Sequence, residues 1–398
     1  MQYRKIFLKK GKERSLLHFH PWVFSGALAK MEGQPAEGET VEVASSEGKF
    51  LGLGQFHTGS ISVRIFSFTK VPVDTAFWTK KFSTAIELRK QLPFSREGKT
   101  NCYRLIHGEG DGIPGLIADH YNGTVVLQAH TTGMHKLLPT FASCLHEIMG
   151  TSLQAVYDKS AETAGKRSDM AMNNSFLYQK EGYVPGEIEV RENGNTFIVN
   201  IAEGQKTGFF LDQRDNRALL GSYCRGKKVL NAFSYSGAFS VYALAGGASL
   251  VHSVDSSAKA GILADKNVQA NFSNAPHTFF CEEVFSFFKK QSETYDVFIL
   301  DPPAFAKHIS SIRQACNGYQ RLNTEAMQKM RPGGILFTFS CSQAIDRKLF
   351  RQVLFAAAAS AGREVKILHQ LSQPADHPIS MYHPEGEYLK GLVLEIGA

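Results

Sequence analysis

The spacing of hydrophobic positions changes twice along the chain. Up to about residue 70 apolar residues alternate in short runs, "ETVEVAS", "KFLGLGQF" and "SISVRIFS", separated by glycine-rich turns. That is the pattern of short strands, which close most simply into a small barrel. A helix is expected just ahead of them, over "SLLHFHPWVFSGALA". From residue 71 the period lengthens. "TAFWTKKFSTAIELRKQL" has helical spacing and stops at Pro93. "CYRLIHGEGDGIPGLIADHY", "TVVLQAH" and "LQAVYDK" read as strands, and "MHKLLPTFASCLHEIMG" as one amphipathic helix ending at Gly150. From residue 185 seven apolar strands, "KVLNAF", "LVHSVD", "HTFFCEEV", "DVFILD", "GILFTFS", "EVKILHQ" and "GLVLEI", alternate with helices such as "GAFSVYALAGG". Strands apolar on both faces predict a mostly parallel sheet covered by helices. The expected fold class is α/β. Its segments are a small β-barrel at 1–70, a small α/β middle domain at 71–184, and a Rossmann-like seven-stranded domain at 185–398.

Composition narrows the function classes. No apolar run approaches the ~18 residues of a membrane helix, and the opening "MQYRK" lacks the apolar core of a signal peptide. A cytoplasmic protein with no membrane partner is expected. The six cysteines are scattered without a Cys-x-x-Cys pair, so neither a disulfide framework nor a zinc knuckle is expected. The histidines form no His-Glu-x-x-His pattern, and His377, His383 and Glu387 sit in a proline-marked loop, so no metal is expected. The net charge of +7 is concentrated near the start, where six basic residues in the first 14 face Glu13 alone. Lys9, Lys10, Lys12 and Arg14 read as phosphate contacts or as a solvated face. Trp22 and Phe24 read as base-stacking residues or as core.

The candidate chemistry lies at strand ends. "KVLNAFSYSGAF" is strand, turn and helix with one turn glycine, Gly237, so the dinucleotide fingerprint is absent. Its small residues Asn231, Ser234, Ser236 and Gly237 still let backbone amides approach a ligand. Asp255 ends the next strand and suits a ribose diol; Glu282 and Glu283 end the third, near an adenine edge. Each acid alone could equally cap a helix. As an ordered set they point to an adenosine ligand without a diphosphate, most simply S-adenosylmethionine. The fourth strand runs into Asp301-Pro302-Pro303-x-Phe305. The two prolines stiffen the backbone and aim Asp301 at the sheet's carboxyl edge. This is either a plain turn or the station for a flipped base in nucleic-acid methyltransferases. It does not separate methylation at nitrogen from methylation at carbon.

Cys341 ends the fifth strand in "LFTFSCSQAID". A cysteine there is ordinarily packing. Beside Asp301 it reads instead as a nucleophile. A thiolate adding to carbon 6 of a pyrimidine makes carbon 5 electron-rich, whereas methylation of an amine needs no cysteine. A helix expected to begin at Ser342 and Gln343 would favour the thiolate.

"GQKTGFFLDQRDNR", "VLNAFSYSGAF", "DPPAF", "FSCS" and "ADHPISMYHPEGEYLKG" resemble bacterial large-subunit ribosomal RNA cytosine-5 methyltransferases, class I enzymes with an N-terminal RNA-binding PUA domain. The likeness covers nearly the whole chain: "LKKGKERSLLHFHPWVFSGAL" is similar to the PUA domain and "YRLIHGEGDGIPGLIADHY" to the middle domain. It implies that Cys341 is the nucleophile and that Asp301 contacts the cytosine ring, with Pro302, Pro303 and Phe305 beside it. It implies that Phe233, Ser234 and Gly237 form the cofactor turn, with Asp255 on the ribose and Glu283 near the adenine. Lys206, Phe209, Asp212 and Arg214 are implied to lie against cofactor or target: Asp212 toward the cofactor, Lys206 and Arg214 toward the RNA. The implied partners are large-subunit ribosomal RNA and, at most, a second copy in a homodimer. Two departures stand out. Residues 159–180 match the family's "RSD" region only loosely, and glutamates occupy 282 and 283 where the family has aspartate. Two other readings remain: methylation of uracil or of a base nitrogen, and a non-catalytic RNA-binding ribosome-assembly factor. Intact Asp255, Asp301 and Cys341 argue against the last. Asp301 is one candidate for removing the carbon 5 proton.

Overall fold

The computed structural model describes residues 2–163, 173–305 and 311–398. Arg167–Asp169 of the loosely matching region, and 306–310 after the double proline, lie outside the described residues. The chain forms two compact units.

The first unit comprises the chain through Val190 together with Val199–Phe209 and Ala375–Gly386. One of its sheets has six strands in the order Trp22–Phe24, Ile61–Ser67, Phe50–Phe56, Thr40–Ala44, Arg4–Leu8 and Leu28–Met31. Alternation buries Ile6, Leu8, Val41, Val43, Val63 and Ile65 as one core. Gly54 lacks a side chain because a Cβ there would collide with the Arg64 carbonyl of the neighbouring strand. The helix expected over residues 15–29 is reduced to Arg14–Leu17. Pro21 breaks it, and the Pro21 carbonyl accepts from Ile65 N (2.7 Å), which draws Trp22–Phe24 into the sheet.

The second sheet has five strands, Ser175–Gln179, Ala155–Asp158, Thr124–Ala129, Leu116–Tyr121 and Cys102–His107, in that order. Helix Thr75–Gln91 starts where the Asp74 carboxylate accepts from Phe77 N (2.9 Å), and it packs Trp78 and Phe82 against Phe141. The single helix expected over 134–150 is two, Thr132–Lys136 and Leu138–Met149, because Pro139 starts a new helix rather than continuing one. Buried arginines stitch this unit together. Arg89 forks onto Asp111 (2.5 and 2.8 Å) and donates to the Asp376 carbonyl (2.7 Å). The Asp376 carboxylate accepts from Arg104 N (2.9 Å).

The second unit comprises Arg191–Ile198, Phe210–Pro374 and Glu387–Ala398. Its sheet has seven strands: β1 (Lys228–Ala232), β2 (Leu250–Asp255), β3 (His277–Cys281), β4 (Val297–Leu300), β5 (Gly334–Ser340), β6 (Val365–Leu371) and β7 (Lys390–Ile396). The order is β3-β2-β1-β4-β5-β7-β6, parallel except where β7 runs antiparallel to β5 and β6. The helices include α1 (Arg214–Gly221), α2 (Ala238–Ala245), α3 (Ala258–Gln269), α4 (Val284–Lys290), α5 (Ile312–Lys329) and α6 (Arg347–Ala361). Leu230, Phe298, Leu300 and Leu336 of the central strands meet Tyr319, Leu322 and Phe350 of the helices in one core. The strand order reverses between β1 and β4, and open α/β sheets bind ligands at such a point, outside the carboxyl strand ends.

Candidate active site

Pairing of Ala232 with Val254 sets the turn after β1 beside Asp255. That turn bends three times through left-handed backbone, at Phe233 (φ 60°), Tyr235 (φ 43°) and Gly237 (φ 69°). Two of these are not glycine, so the surroundings must hold them there. Ser234 N donates to the Val254 carbonyl (3.1 Å), and the Asp255 carboxylate accepts from both Tyr235 N and Ser257 N (3.0 Å each). Asp255 is half-buried, so it organises the turn and still faces outward. The Ser234 hydroxyl is buried without a hydrogen-bond partner, although buried hydroxyls are almost always satisfied; a polar ligand on the turn would supply one. Because Asp255 pairs with Cys281, Glu283 stands two residues beyond that level, exposed and capping nothing with its side chain. Glu282 is engaged instead by Lys290 (2.8 Å). A small-residue turn, a carboxylate at the next strand end and a free-standing carboxylate at the third fit a nucleoside such as that of S-adenosylmethionine. A Cβ on Gly237 would lie 2.9 Å from the Ala264 Cβ on α3. Gly237→Ala is therefore expected to cost about 1–3 kcal/mol. The measurements are a lowered urea midpoint and weaker S-adenosylmethionine binding by calorimetry.

β4 and β5 are parallel neighbours with Leu300 opposite Thr338, so Asp301 and Cys341 leave the same sheet edge from adjacent strands. Gln213 Nε2 donates to Asp301 Oδ2 (3.1 Å), and Asn216 Nδ2 in turn donates to Gln213 Oε1 (2.7 Å). Pro302 is buried and Pro303 exposed. The Phe305 ring lies 4.6 Å from that of Tyr319, whose hydroxyl meets Ser342 Oγ (3.1 Å). Cys341 is half-buried between the fully buried Ser340 and Ser342, and none of the six cysteines is in a disulfide.

The helix expected at Ser342 and Gln343 is not there. A turn closed by Ile345 N on the Ser342 carbonyl (3.1 Å) intervenes, and α6 begins at Arg347, capped by Asp346. The cation near the sulfur comes from Lys390, which sequence reasoning missed. It lies on β7 opposite Ser340 and is 3% exposed. Its Nζ donates to the Ser342 and Tyr388 carbonyls, 2.7 Å each. Burial pushes the Lys390 amine down to about 8, against the opposing pull of a Cys341 thiolate. Only the basic residue at the start of the last apolar run hinted at it. Asp212 is buried and accepts from the Tyr388 hydroxyl (2.7 Å), which steadies the strand entry next to Lys390.

The second unit thus gathers Phe233, Ser234, Gly237, Asp255, Glu283, Asp212, Asp301, Pro302, Pro303, Phe305 and Cys341. Arg214 is there too, buried at the start of α1 with its Nε on Asp215 (3.1 Å). Lys206 belongs to the first unit and is exposed. So are Lys9, Lys10, Lys12 and Arg14, of which Lys9 donates to the Gly26 carbonyl (3.0 Å). Among the described residues no helix is long and apolar enough to cross a membrane.

Comparison with known proteins identifies the family. A PUA-like domain family matches residues 6–68, and an S-adenosylmethionine-dependent methyltransferase family matches residues 104–386. The ribosomal RNA large subunit methyltransferase I of Cronobacter sakazakii is 39% identical over 98% of this chain and 99% of its own length. That of Aeromonas salmonicida is 39% identical over 98% of each. Among solved structures, a methyltransferase complexed with SAH shares the fold at a TM-score of 0.85 with 24% identity, covering 98% of this chain and 99% of that one. A SAM-dependent methyltransferase from Streptococcus mutans does so at 0.84 with 23% identity, again over 98% and 99%. With a family match over residues 104–386 and relatives 39% identical over nearly its whole length, the chain belongs to the S-adenosylmethionine-dependent methyltransferases, in the group of the ribosomal RNA large subunit methyltransferases I.

Proposed function

We propose that this protein methylates carbon 5 of a cytosine in large-subunit ribosomal RNA through a Cys341 adduct. The observation that carries the reading is Cys341 and Asp301 emerging from adjacent parallel strands at the cofactor edge. The substrate class follows the names of the relatives. Bound S-adenosylmethionine supplies a methyl group on a sulfonium sulfur. Asp255 holds its ribose hydroxyls, the Ser234 hydroxyl and the turn at Phe233 and Gly237 line its path, Glu283 faces the adenine, and Asp212 closes the near side. The Cys341 thiolate gives its electron pair to carbon 6 of the base, which turns carbon 5 into a nucleophile. Once carbon 5 is methylated, a base takes its proton and the carbon–sulfur electrons return to Cys341. Asp301, steadied by Gln213, orients the ring. Pro302 and Pro303 hold that carboxylate at the edge, and Phe305 forms a wall for an extruded base.

In the same reading, segment 1–70 is the RNA-binding domain, 71–184 a middle domain and 185–398 the chemical domain. Lys9, Lys10, Lys12 and Arg14 serve the RNA backbone, positioning it without reading sequence, and the exposed Lys206 faces the RNA, whereas Arg214 is buried and supports the start of α1 from within. The test is to incubate the protein with unmodified large-subunit RNA and methyl-labelled S-adenosylmethionine, then digest to nucleosides. Label in 5-methylcytidine is the expected result. Label in 5-methyluridine or in a methylated amine overturns the base assignment. RNA binding with no transfer indicates an assembly factor.

A further inference from the structure

Lys390 is a buried lysine with no carboxylate bonded to it among the described residues, at a strand end where a solvated residue would suffice. Buried amines are normally neutralised or paired. Here two contacts are main-chain carbonyls, one from Ser342 just past the cysteine and one from Tyr388 on its own strand. Ser340, just before the cysteine, lies directly opposite it in the β5–β7 ladder. The lysine is thereby fixed on both sides of Cys341. An ammonium has three N–H donors and a neutral amine has two N–H donors and a lone pair. Two carbonyls satisfy two donors in either state, and the remaining position is the one that changes character.

We propose that Lys390 is the positioning residue that readies Cys341, by exchanging one proton with its thiol, an inference that rests on the nucleophile reading above. The Sγ–H bond breaks, its electron pair stays on sulfur, and the proton joins the Lys390 lone pair. Thiol and amine become thiolate and ammonium with no change in net charge and with both carbonyl bonds kept. Burial opposes a lone ammonium at this position, while the adjacent thiolate favours it, so the two ionise as a pair. Arg347 opposes the ammonium, Glu387 and Asp346 favour it, and Tyr319 and the Asp212-bound Tyr388 also pack around the loop. Arg347 and Glu387 are themselves paired, which leaves Cys341 as the leading charged group acting on the lysine. A purely structural Lys390 would tie Ser342 to Tyr388 and have no effect on the sulfur's ionisation.

The two roles separate in a pH profile of Cys341 alkylation by iodoacetamide, followed on the Cys341 peptide by mass spectrometry, without RNA or cofactor. In the folded wild type the midpoint is expected at least about one pH unit below that of the same peptide in the urea-unfolded chain. Lys390→Met is expected to raise the folded midpoint to or above the unfolded value, and to slow alkylation at pH 7 by about ten-fold or more. A wild-type midpoint at the unfolded value overturns the proposal without any variant, so a misfolded Lys390→Met cannot shelter it. An unmoved midpoint in a folded Lys390→Met overturns it equally. A lowered, Lys390-dependent midpoint together with an active Cys341→Ala would sustain the pairing and sink the nucleophile reading instead.

Discussion

Cys341→Ala is expected to lose RNA methylation by at least about 10⁴-fold while binding S-adenosylmethionine as the wild type does. The argument is chemical. Carbon 5 of cytosine does not attack a sulfonium methyl unaided, and in the proposed mechanism the adduct at carbon 6 supplies that reactivity. In that mechanism, removing the sulfur leaves orientation by Asp301 without activation of the ring. Binding is expected to survive because the proposed cofactor turn, Phe233 to Gly237, and Asp255 sit after β1 and β2, whereas Cys341 follows β5. The measurement pairs labelled methyl transfer with calorimetric titration of the cofactor. Activity within ten-fold of wild type would return the cysteine to a packing role. Joint loss of activity and cofactor binding would mean that the substitution damaged the fold.

Arg217→Met is expected to destabilise the second unit by about 3–5 kcal/mol. Arg217 is 1% exposed and Glu192 fully buried. The guanidinium forks onto the carboxylate through Nε and Nη2 (2.9 and 2.6 Å), and Nη1 donates to the Phe210 carbonyl (2.9 Å). Tyr242 also donates its hydroxyl to Glu192 Oε1 (3.0 Å). Burial works against the charge on Arg217, and the adjacent Glu192 more than compensates, so its acidity is weaker than that of an ordinary arginine. Methionine of similar length fills the space but leaves a buried carboxylate without its counter-ion. The double variant Arg217→Met, Glu192→Met is expected to recover most of the loss, because removing both charges removes the desolvation cost. Urea unfolding of the two variants checks this; a double variant no more stable than Arg217→Met would show that shape, not charge, is what the pair supplies.

The physics of such pairs marks the boundary between the two levels of description. The alternation of strand and helix from residue 228 onward was readable directly, because hydrophobic period is a local property and a strand buried on both faces needs an unbroken apolar run. Strand ends were readable for the same reason, which is why the sequence already sets Gly237, Asp255, Asp301 and Cys341 at or just past the ends of β1, β2, β4 and β5. A proline's local effect was readable in principle, yet apolar spacing outvoted it at Pro21 and Pro139, where two expected helices are broken. α6 starts at Arg347 because a turn closed by Ile345 N on the Ser342 carbonyl intervenes and Asp346 then caps the helix. Contacts that depend on distant partners left no trace in any window. Lys390 reaches Ser342 across 48 residues, Arg89 reaches the Asp376 carbonyl across 287, and Arg217 reaches Glu192 across 25. A lysine or arginine reads as solvated wherever it occurs. Only three-dimensional packing removes the water and makes its charge a determinant of stability or chemistry.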